Sequence, residues 1–270
     1  MAEEPAENIG EGGVDAEFAT GTPDTRAEAV VDALGDIYWQ TAYGGRDAFP
    51  CLVRTILSQN TSDTASQPAF DALLDRYDDG GDLAATLAAA DRGTLADTIA
   101  SAGLYNQKSR VIVEAAEEVV ADFGGADAFD DFVREGDPAD VRDRLLDVRG
   151  VGPKTADCVL LFAGGRGGVF PVDTHVHRIA RRMGLAPADA DHEAVREALE
   201  AAVPAEKCGF GHTAMIQFGR EHCTARKPAC LDGPDACPLY GSCERVGVSP
   251  ETGEVVDPAE AGAADPDGVS

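Results

Sequence analysis

The chain has 270 residues, 44 % of them apolar, enough for one or two packed domains, and no apolar run reaches the ~18 residues that cross a bilayer. Its opening "MAEEPAENIGEGG" lacks the basic-then-apolar order of a secretory leader. The reading is therefore a cytoplasmic protein without a membrane part, whose seven cysteines are reduced or metal-bound. A formal charge of −27 argues against a polyanionic partner.

The charge is unevenly spread. Residues 1–36 hold ten acids against one arginine, and residues 244–270 hold seven against one. Residues 140–185 reverse the balance, with seven arginines and one lysine against five aspartates, and residues 206–230 carry four cations against two glutamates. Only four lysines occur, at 108, 154, 207 and 227. An acid-rich, lysine-poor surface suits the salt-rich cytosol of a haloarchaeal-type source. Composition does not choose between that and an acidic protein that never meets DNA.

In chain order, residues 1–22 are Gly, Ala, Pro and acid without periodicity, a disordered acidic tail. Helical spacing then dominates. Val30, Val31, Leu34, Ile37 and Tyr38 form one face; Phe49, Leu52, Val53, Ile56 and Leu57 form the next, with Asp47 as cap; Phe70, Leu73, Leu74 and Tyr77 repeat the spacing. Asn106 is expected to cap a helix using Ile112, Ala115, Val119 and Phe123, stopped by Gly124-Gly125. Asp137-Pro138 opens a helix containing Val141, Leu145 and Leu146, and Asp191 opens one with Val195, Leu199 and Val203. "GVFPV" at 168–172 is the one strand-like run, weakened by its proline. Residues 247–270 read as a second disordered acidic tail. The fold class is all-α.

Three stretches carry chemistry. In "DVRGVGPKTADCVLL" (147–161) a helix ends near Val148, Gly150 and Gly152 flank a turn, and Pro153 stands at the first position of a new helix. Amides around Val151 and Gly152, with the free N–H groups of that helix, would bind an anion such as a DNA phosphate without reading sequence. The competing reading is a tight turn whose glycines serve packing alone. Lys154 lies in the first turn, where the macrodipole disfavours a cation. A solvated surface lysine is the common case, yet an amine that is less readily protonated is what imine chemistry needs. Asp173, in "FPVDTHVHRIARRMG" (170–184), fits a helix cap and equally a carboxylate that takes a proton or steadies positive charge. His175 and His177 read as packing or phosphate-side residues, and His192, His212 and His222 receive no functional assignment.

Five segments together resemble the endonuclease III group of the helix-hairpin-helix DNA glycosylases: "ILSQNTSD" (56–63), "AGLYNQKS" (102–109), "LLDVRGVGPKTADCVLL" (145–161), "FPVDTHVHRI" (170–179) and "GREHCTARKPAC" (219–230). They occur in the family's order over residues 25–245. The resemblance implies two helical domains, a six-helix barrel and an iron–sulfur cluster domain, with the helix-hairpin-helix at the cleft. The corresponding limits here are 44–166 for the barrel and 23–43 with 167–246 for the cluster domain. It also implies excision of oxidised or damaged pyrimidines and cleavage of the abasic strand by β-elimination. Lys154 matches the lysine that attacks the sugar C1′ to form an imine, and Asp173 the catalytic aspartate. Gln59 matches a residue that fills the hole left by the flipped nucleotide, and Leu104 a wedge pushed into the stack. A base must leave the duplex before it can be processed, and apolar wedges hold such an unstacked step.

Cys223, Cys230, Cys237 and Cys243 follow Cys-x6-Cys-x6-Cys-x5-Cys, four residues longer between the second and third cysteines than the family's usual pattern. Gly233-Pro234-Asp235 look like a turn that bulges out the insertion. Four thiolates suit a [4Fe–4S] cluster or a tetrahedral zinc, and with no cysteine pair two to four residues apart the cluster is favoured. Arg226 and Lys227 are candidate phosphate contacts. Cys51, Cys158 and Cys208 read as core or bystander thiols. The implied protein is a monomeric DNA glycosylase/AP lyase of base excision repair acting on double-stranded DNA with a damaged base or abasic site. The alternatives are a monofunctional glycosylase for uracil or thymine opposite guanine, and a non-catalytic DNA-binding module.

Overall fold

A computed structural model describes residues 13–16, 18 and 22–261; the parts of the expected acidic tails at 1–12, 17, 19–21 and 262–270 lie outside the described residues. Helices dominate, in the order β1 (Val14–Asp15), α1 (Arg26–Ile37), β2 (Thr41–Ala42), α2 (Ala48–Ser58), α3 (Asp63–Tyr77), α4 (Leu83–Ala88), α5 (Arg92–Thr98), α6 (Tyr105–Phe123), α7 (Ala126–Glu135), α8 (Pro138–Asp147), α9 (Pro153–Phe162), α10 (Thr174–Met183), α11 (His192–Ala202), α12 (Cys208–Glu221), β3 (Val248–Ser249), β4 (Glu254–Val255) and α13 (Pro258–Ala261). The all-α expectation holds. No helix among the described residues is long and apolar enough to cross a membrane.

The described residues form two compact units, one of them Ala42–Arg166, the other joining the described part of Asp15–Thr41 to residues 167–261. The first unit is built around α2, whose Phe49, Leu52, Val53, Ile56 and Leu57 are completely buried and which packs against α3, α6, α7 and α9. Each such side chain contributes roughly 1.5–3 kcal/mol. The Ile112, Ala115, Ala116 and Val119 stripe of α6 is likewise buried, with α4 and α5 against this helix. In the second unit α12 lies against α1 and α10, and Val176, Ile179 and Ala180 bury the inner side of α10.

Part of the acid surplus works at helix starts. Asp82 caps α4, Asp91 caps α5, Asp137 caps α8 and Asp191 caps α11, each carboxylate accepting from backbone N–H groups one turn on. Asp47 occupies the capping position of α2 but makes no side-chain cap bond.

Three expectations are corrected. Asn106 is not a cap: α6 begins one residue earlier, and its capping position is held by Leu104 in the left-handed region, φ +46°. "GVFPV" is not a strand; it runs as an extended segment with the Gly168 N–H on the Ala205 carbonyl at 2.8 Å and the Phe170 N–H on Glu200 at 3.0 Å. Residues 247–261 are not an unstructured tail. β3 and β4 pair antiparallel with Val248 opposite Val255, Val248 is buried, and Asp257 forms an ion pair with Arg181 of α10. One alternation of two valines around a left-handed Gly253 (φ +74°) is too short a pattern to stand out in an acidic sequence.

Candidate functional site

The hairpin lies wholly in the first unit. α8 ends at Asp147, the Val151 N–H closes the turn on the Val148 carbonyl at 3.0 Å, and Pro153 starts α9 with its missing donor where none is needed. Gly150 has φ +85°, and a Cβ there would lie 2.8 Å from a Val111 methyl, so both conformation and space demand glycine. Gly152 differs. Its φ is −100° and an added Cβ would meet nothing within 4 Å, so neither strain nor packing within the protein requires glycine. Its bare backbone faces open space at the positive end of α9. The N–H groups of Gly152 and Lys154 have no acceptor among the described residues. Val151 departs from expectation, since its N–H is consumed by the turn and its side chain is buried. Available donors are thus those of Gly152 and Lys154.

A buried ion pair braces the two hairpin helices: Arg142 Nε reaches the Asp157 carboxylate at 2.7 Å, with Asp157 only 2 % exposed. The half-exposed Lys154 follows on the first turn of α9. Beneath it, burial pushes the Cys51 thiol up to about 12, with opposing contributions from cations including Lys154. Cys51 and Cys158 are both fully enclosed core thiols.

Gln59 closes α2 and turns its side-chain amide to the hairpin, donating to the Gly150 carbonyl at 3.2 Å and to Thr155 Oγ1 at 3.1 Å. The next residue, Asn60, takes a left-handed turn at φ +53°. Leu104 is the anomaly of the unit. It is a leucine with φ +46° and is 55 % exposed, next to Tyr105 at 41 %. A left-handed leucine costs about 1–2 kcal/mol, and an apolar side chain held out in water gains nothing by folding. Strain of this kind persists where it serves something outside the fold.

Lys108 received no role in the sequence reading, although it lies in the quoted "AGLYNQKS". It is 3 % exposed and donates to the Leu57 carbonyl at 2.7 Å, Thr61 Oγ1 at 2.8 Å and the Ala102 carbonyl at 2.9 Å. Burial lowers its pKa to about 8. A buried lysine four residues after an exposed leucine breaks the apolar pattern of α6, which is the signal that could have revealed it.

In the second unit Asp173 caps α10. Its Oδ1 accepts from the His175 and Val176 N–H groups, both at 2.8 Å, which leaves Oδ2 without a partner among the described residues. The cap therefore holds the carboxylate still and keeps one oxygen free. Burial lowers the His175 pKa, and its Nδ1 lies 3.1 Å from Arg178. His177 stacks on His192 at 4.0 Å and binds the Ala190 carbonyl at 2.9 Å, a packing role. The arginines of α10 that made this segment look basic turn inward. Arg178 donates to the Cys223 carbonyl at 2.9 and 3.0 Å, and Arg182 to the Thr224 and Ala225 carbonyls at 2.7 Å each. They clamp the cysteine loop to the helix that Asp173 caps.

That loop gathers the four cysteines. Cys223, Cys230 and Cys237 are buried and Cys243 half-buried. Burial raises the Cys230, Cys237 and Cys243 thiols, Cys243 up to about 11, and the charge of neighbouring cysteines adds to each. Mutually close buried thiols of this kind ionise only against a compensating cation. N–H groups stand ready for the sulfurs: Arg182 donates to Cys223 Sγ at 3.7 Å and the Arg245 backbone to Cys243 Sγ at 3.3 Å. The extra residues between Cys230 and Cys237 form two short 3-10 turns, Ala229–Asp232 and Pro234–Ala236, hinged at Gly233 with φ +106°. No group of three His, Cys, Asp or Glu among the described residues stands close enough to hold a single metal ion. Arg226 and Lys227 project from an exposed turn, tied by Thr224 Oγ1 to the Lys227 backbone. Cys208 is buried in α12, away from any ligand role in the sequence pattern.

Comparison with known proteins gives a consistent result. A model of the HhH-GPD superfamily of base excision DNA repair proteins matches residues 53–205. The endonuclease III of Thermotoga maritima is 33 % identical over 198 residues, 73 % of this chain and 83 % of that protein. That of Sulfolobus acidocaldarius is 34 % identical over 199 residues, 74 % and 82 % of the two chains. Among solved structures, a trapped endonuclease III–DNA covalent intermediate matches with a TM-score of 0.66 at 28 % identity, covering 82 % of this chain and 96 % of that one. A non-covalent endonuclease III–DNA complex matches to the same extent.

Proposed function

The chain belongs to the endonuclease III family of the HhH-GPD base excision DNA repair superfamily, and on that premise we propose that it is a bifunctional DNA glycosylase/AP lyase for oxidised or damaged pyrimidines. The observation that carries the reading is Lys154 on the first turn of α9, two residues after an open Gly152 whose N–H, like that of Lys154, has no acceptor among the described residues. A DNA phosphate received on those amides brings a sugar to the amine. Lys154 Nζ attacks C1′ and loses its proton, and the C1′–base bond breaks with its electron pair leaving on the base. The sugar ring then opens: the C1′–O4′ bond breaks as the nitrogen lone pair forms the C=N bond, O4′ takes up a proton, and the imine so formed acidifies C2′, whose deprotonation expels the 3′-phosphate and cuts the strand. Asp173, whose Oδ2 has no partner among the described residues, matches the family's catalytic aspartate, the carboxylate that would accept a proton and steady the oxocarbenium-like sugar. Gln59 and Leu104 occupy the duplex where the nucleotide has left, and Arg226 and Lys227 hold phosphate.

Cys223, Cys230, Cys237 and Cys243 would hold a [4Fe–4S] cluster. Four sulfur donors fit it, as do the N–H groups aimed at two of the sulfurs. When bound, the cluster cross-links the loop that carries Arg226 and Lys227 and adds a one-electron couple. The acid surplus is read as salt adaptation, which requires DNA binding to persist at molar salt, where an ordinary basic binder loses it.

A strand-scission assay tests the reading. On a duplex with one oxidised pyrimidine the wild type releases the base and leaves a β-elimination end, and Lys154→Ala does neither. Base release without scission by the wild type, on U:G or T:G duplexes in place of the oxidised lesion, would replace this reading with a monofunctional mismatch glycosylase.

A further inference from the structure

Two lysines are buried in this protein, and they are satisfied in opposite ways. Lys207 is neutralised by Glu28 at 2.8 Å and Asp32 at 2.7 Å. The three N–H donors of the Lys108 ammonium all go to neutral oxygens, the carbonyls of Leu57 and Ala102 and the hydroxyl of Thr61. Burying a charge without a counter-ion is costly, and an apolar side chain of similar length would hold the same space at lower cost. The cost shows in the pKa, which burial lowers to about 8, and the fold nonetheless gives the amine three hydrogen-bond acceptors.

The three acceptors explain why. Leu57 is two residues before Gln59, Thr61 two residues after it, and Ala102 two residues before Leu104. Thr61 Oγ1 also donates to the Ala102 carbonyl, and the Lys108 backbone N–H bonds the Leu104 carbonyl at 2.9 Å. One ammonium thus ties the end of α2 that carries Gln59 to the turn that carries the strained, exposed Leu104. Loops that bear charge-assisted bonds to a common donor move together.

We propose that Lys108 is a positioning residue that fixes the spacing between Gln59 and Leu104, so that both enter the duplex as one rigid element when the nucleotide is extruded. It touches no reacting atom. The inference rests on the reading of Gln59 and Leu104 as the residues that invade DNA.

The test compares Lys108→Met with wild type on two substrates: a duplex carrying an oxidised pyrimidine, and a single-stranded abasic oligonucleotide, which offers no stack to invade. Fluorescence of 2-aminopurine next to the lesion reports duplex opening. The expected result is at least a tenfold loss of kcat for the duplex lesion and a matching loss of the fluorescence rise, with borohydride trapping on the single strand within twofold of wild type. Equal loss on both substrates, or no loss on either, overturns the positioning role. Should Lys108→Met not fold, Thr61→Val removes one acceptor and the Thr61–Ala102 bond while leaving the charge two acceptors, and the same comparison decides. If the wild type traps no abasic DNA at all, the catalytic reading itself fails and the positioning role falls with it.

Discussion

Gln59 donates its side-chain amide to Thr155 Oγ1 across 3.1 Å, joining the last residue before the α2 turn to the first turn of α9. The bond is made by a half-exposed glutamine to a buried hydroxyl, so it orients the glutamine more than it supports the fold. Replacing Gln59 by Ala is expected to cost about 1 kcal/mol or less in unfolding free energy. On the proposed role of Gln59 as the residue that fills the hole left by the flipped nucleotide, excision from an intact duplex should fall at least tenfold. Denaturant titration and single-turnover excision on the same preparation check both halves.

The two hairpin glycines should separate stability from binding. Gly150→Ala places a Cβ 2.8 Å from Val111 in a left-handed backbone and is expected to destabilise by roughly 1–3 kcal/mol. Gly152→Ala meets nothing within 4 Å and should leave the melting temperature within a few degrees of wild type, yet weaken DNA binding several-fold by obstructing the approach of a phosphate. A Gly152→Ala protein that binds DNA normally would return the hairpin to a packing role.

Lys108 gives a pH dependence of definite sign. Folding lowers its pKa from 10.5 to about 8, so the unfolded chain holds this proton more tightly. The penalty is fully present below about pH 8 and diminishes as pH rises towards 10.5. Wild type should therefore gain stability relative to Lys108→Met across that interval, by up to roughly 3 kcal/mol at ~1.4 kcal/mol per unit. Parallel denaturant titrations at pH 7.5, 9 and 10 measure the difference; a flat difference contradicts it.

The cysteine loop makes a metal-dependent prediction. Anaerobically purified protein should be brown and contain about four irons per chain, as four thiolate ligands to a cubane require. Cys237→Ser should lower both iron content and melting temperature. The loop of Arg226 and Lys227 should then become protease-sensitive. Zinc in place of iron at one ion per chain would change the assignment.

Much of this was legible in the sequence because the signals were local. Aspartates at 137, 173 and 191 stand before helical stripes, Pro153 marks the start of α9, and the stripe from Phe49 to Leu57 is the core of α2. What escaped depends on partners distant in the chain. Leu104 displaces Asn106 as the start of α6 because Gly103 (φ +64°) and the Lys108 network hold a left-handed turn there, which no propensity favours. The break Lys108 makes in the apolar pattern of α6 was visible, but its partners were not, because its acceptors at 57, 61 and 102 are main-chain or hydroxyl oxygens that leave no charge pattern. Val151 was expected to offer its amide, but the turn it sits in needs that donor for itself. The inward-facing Arg178 and Arg182 show how a basic run can be spent on loop carbonyls rather than on phosphate.

The central claim is that Lys154 forms an imine with the sugar. Borohydride trapping on an abasic-site duplex, wild type beside Lys154→Ala, tests it most directly. The account predicts a covalent protein–DNA adduct from wild type alone, with both proteins folded and binding DNA alike. An adduct from Lys154→Ala, or none from a folded, DNA-binding wild type, would contradict it.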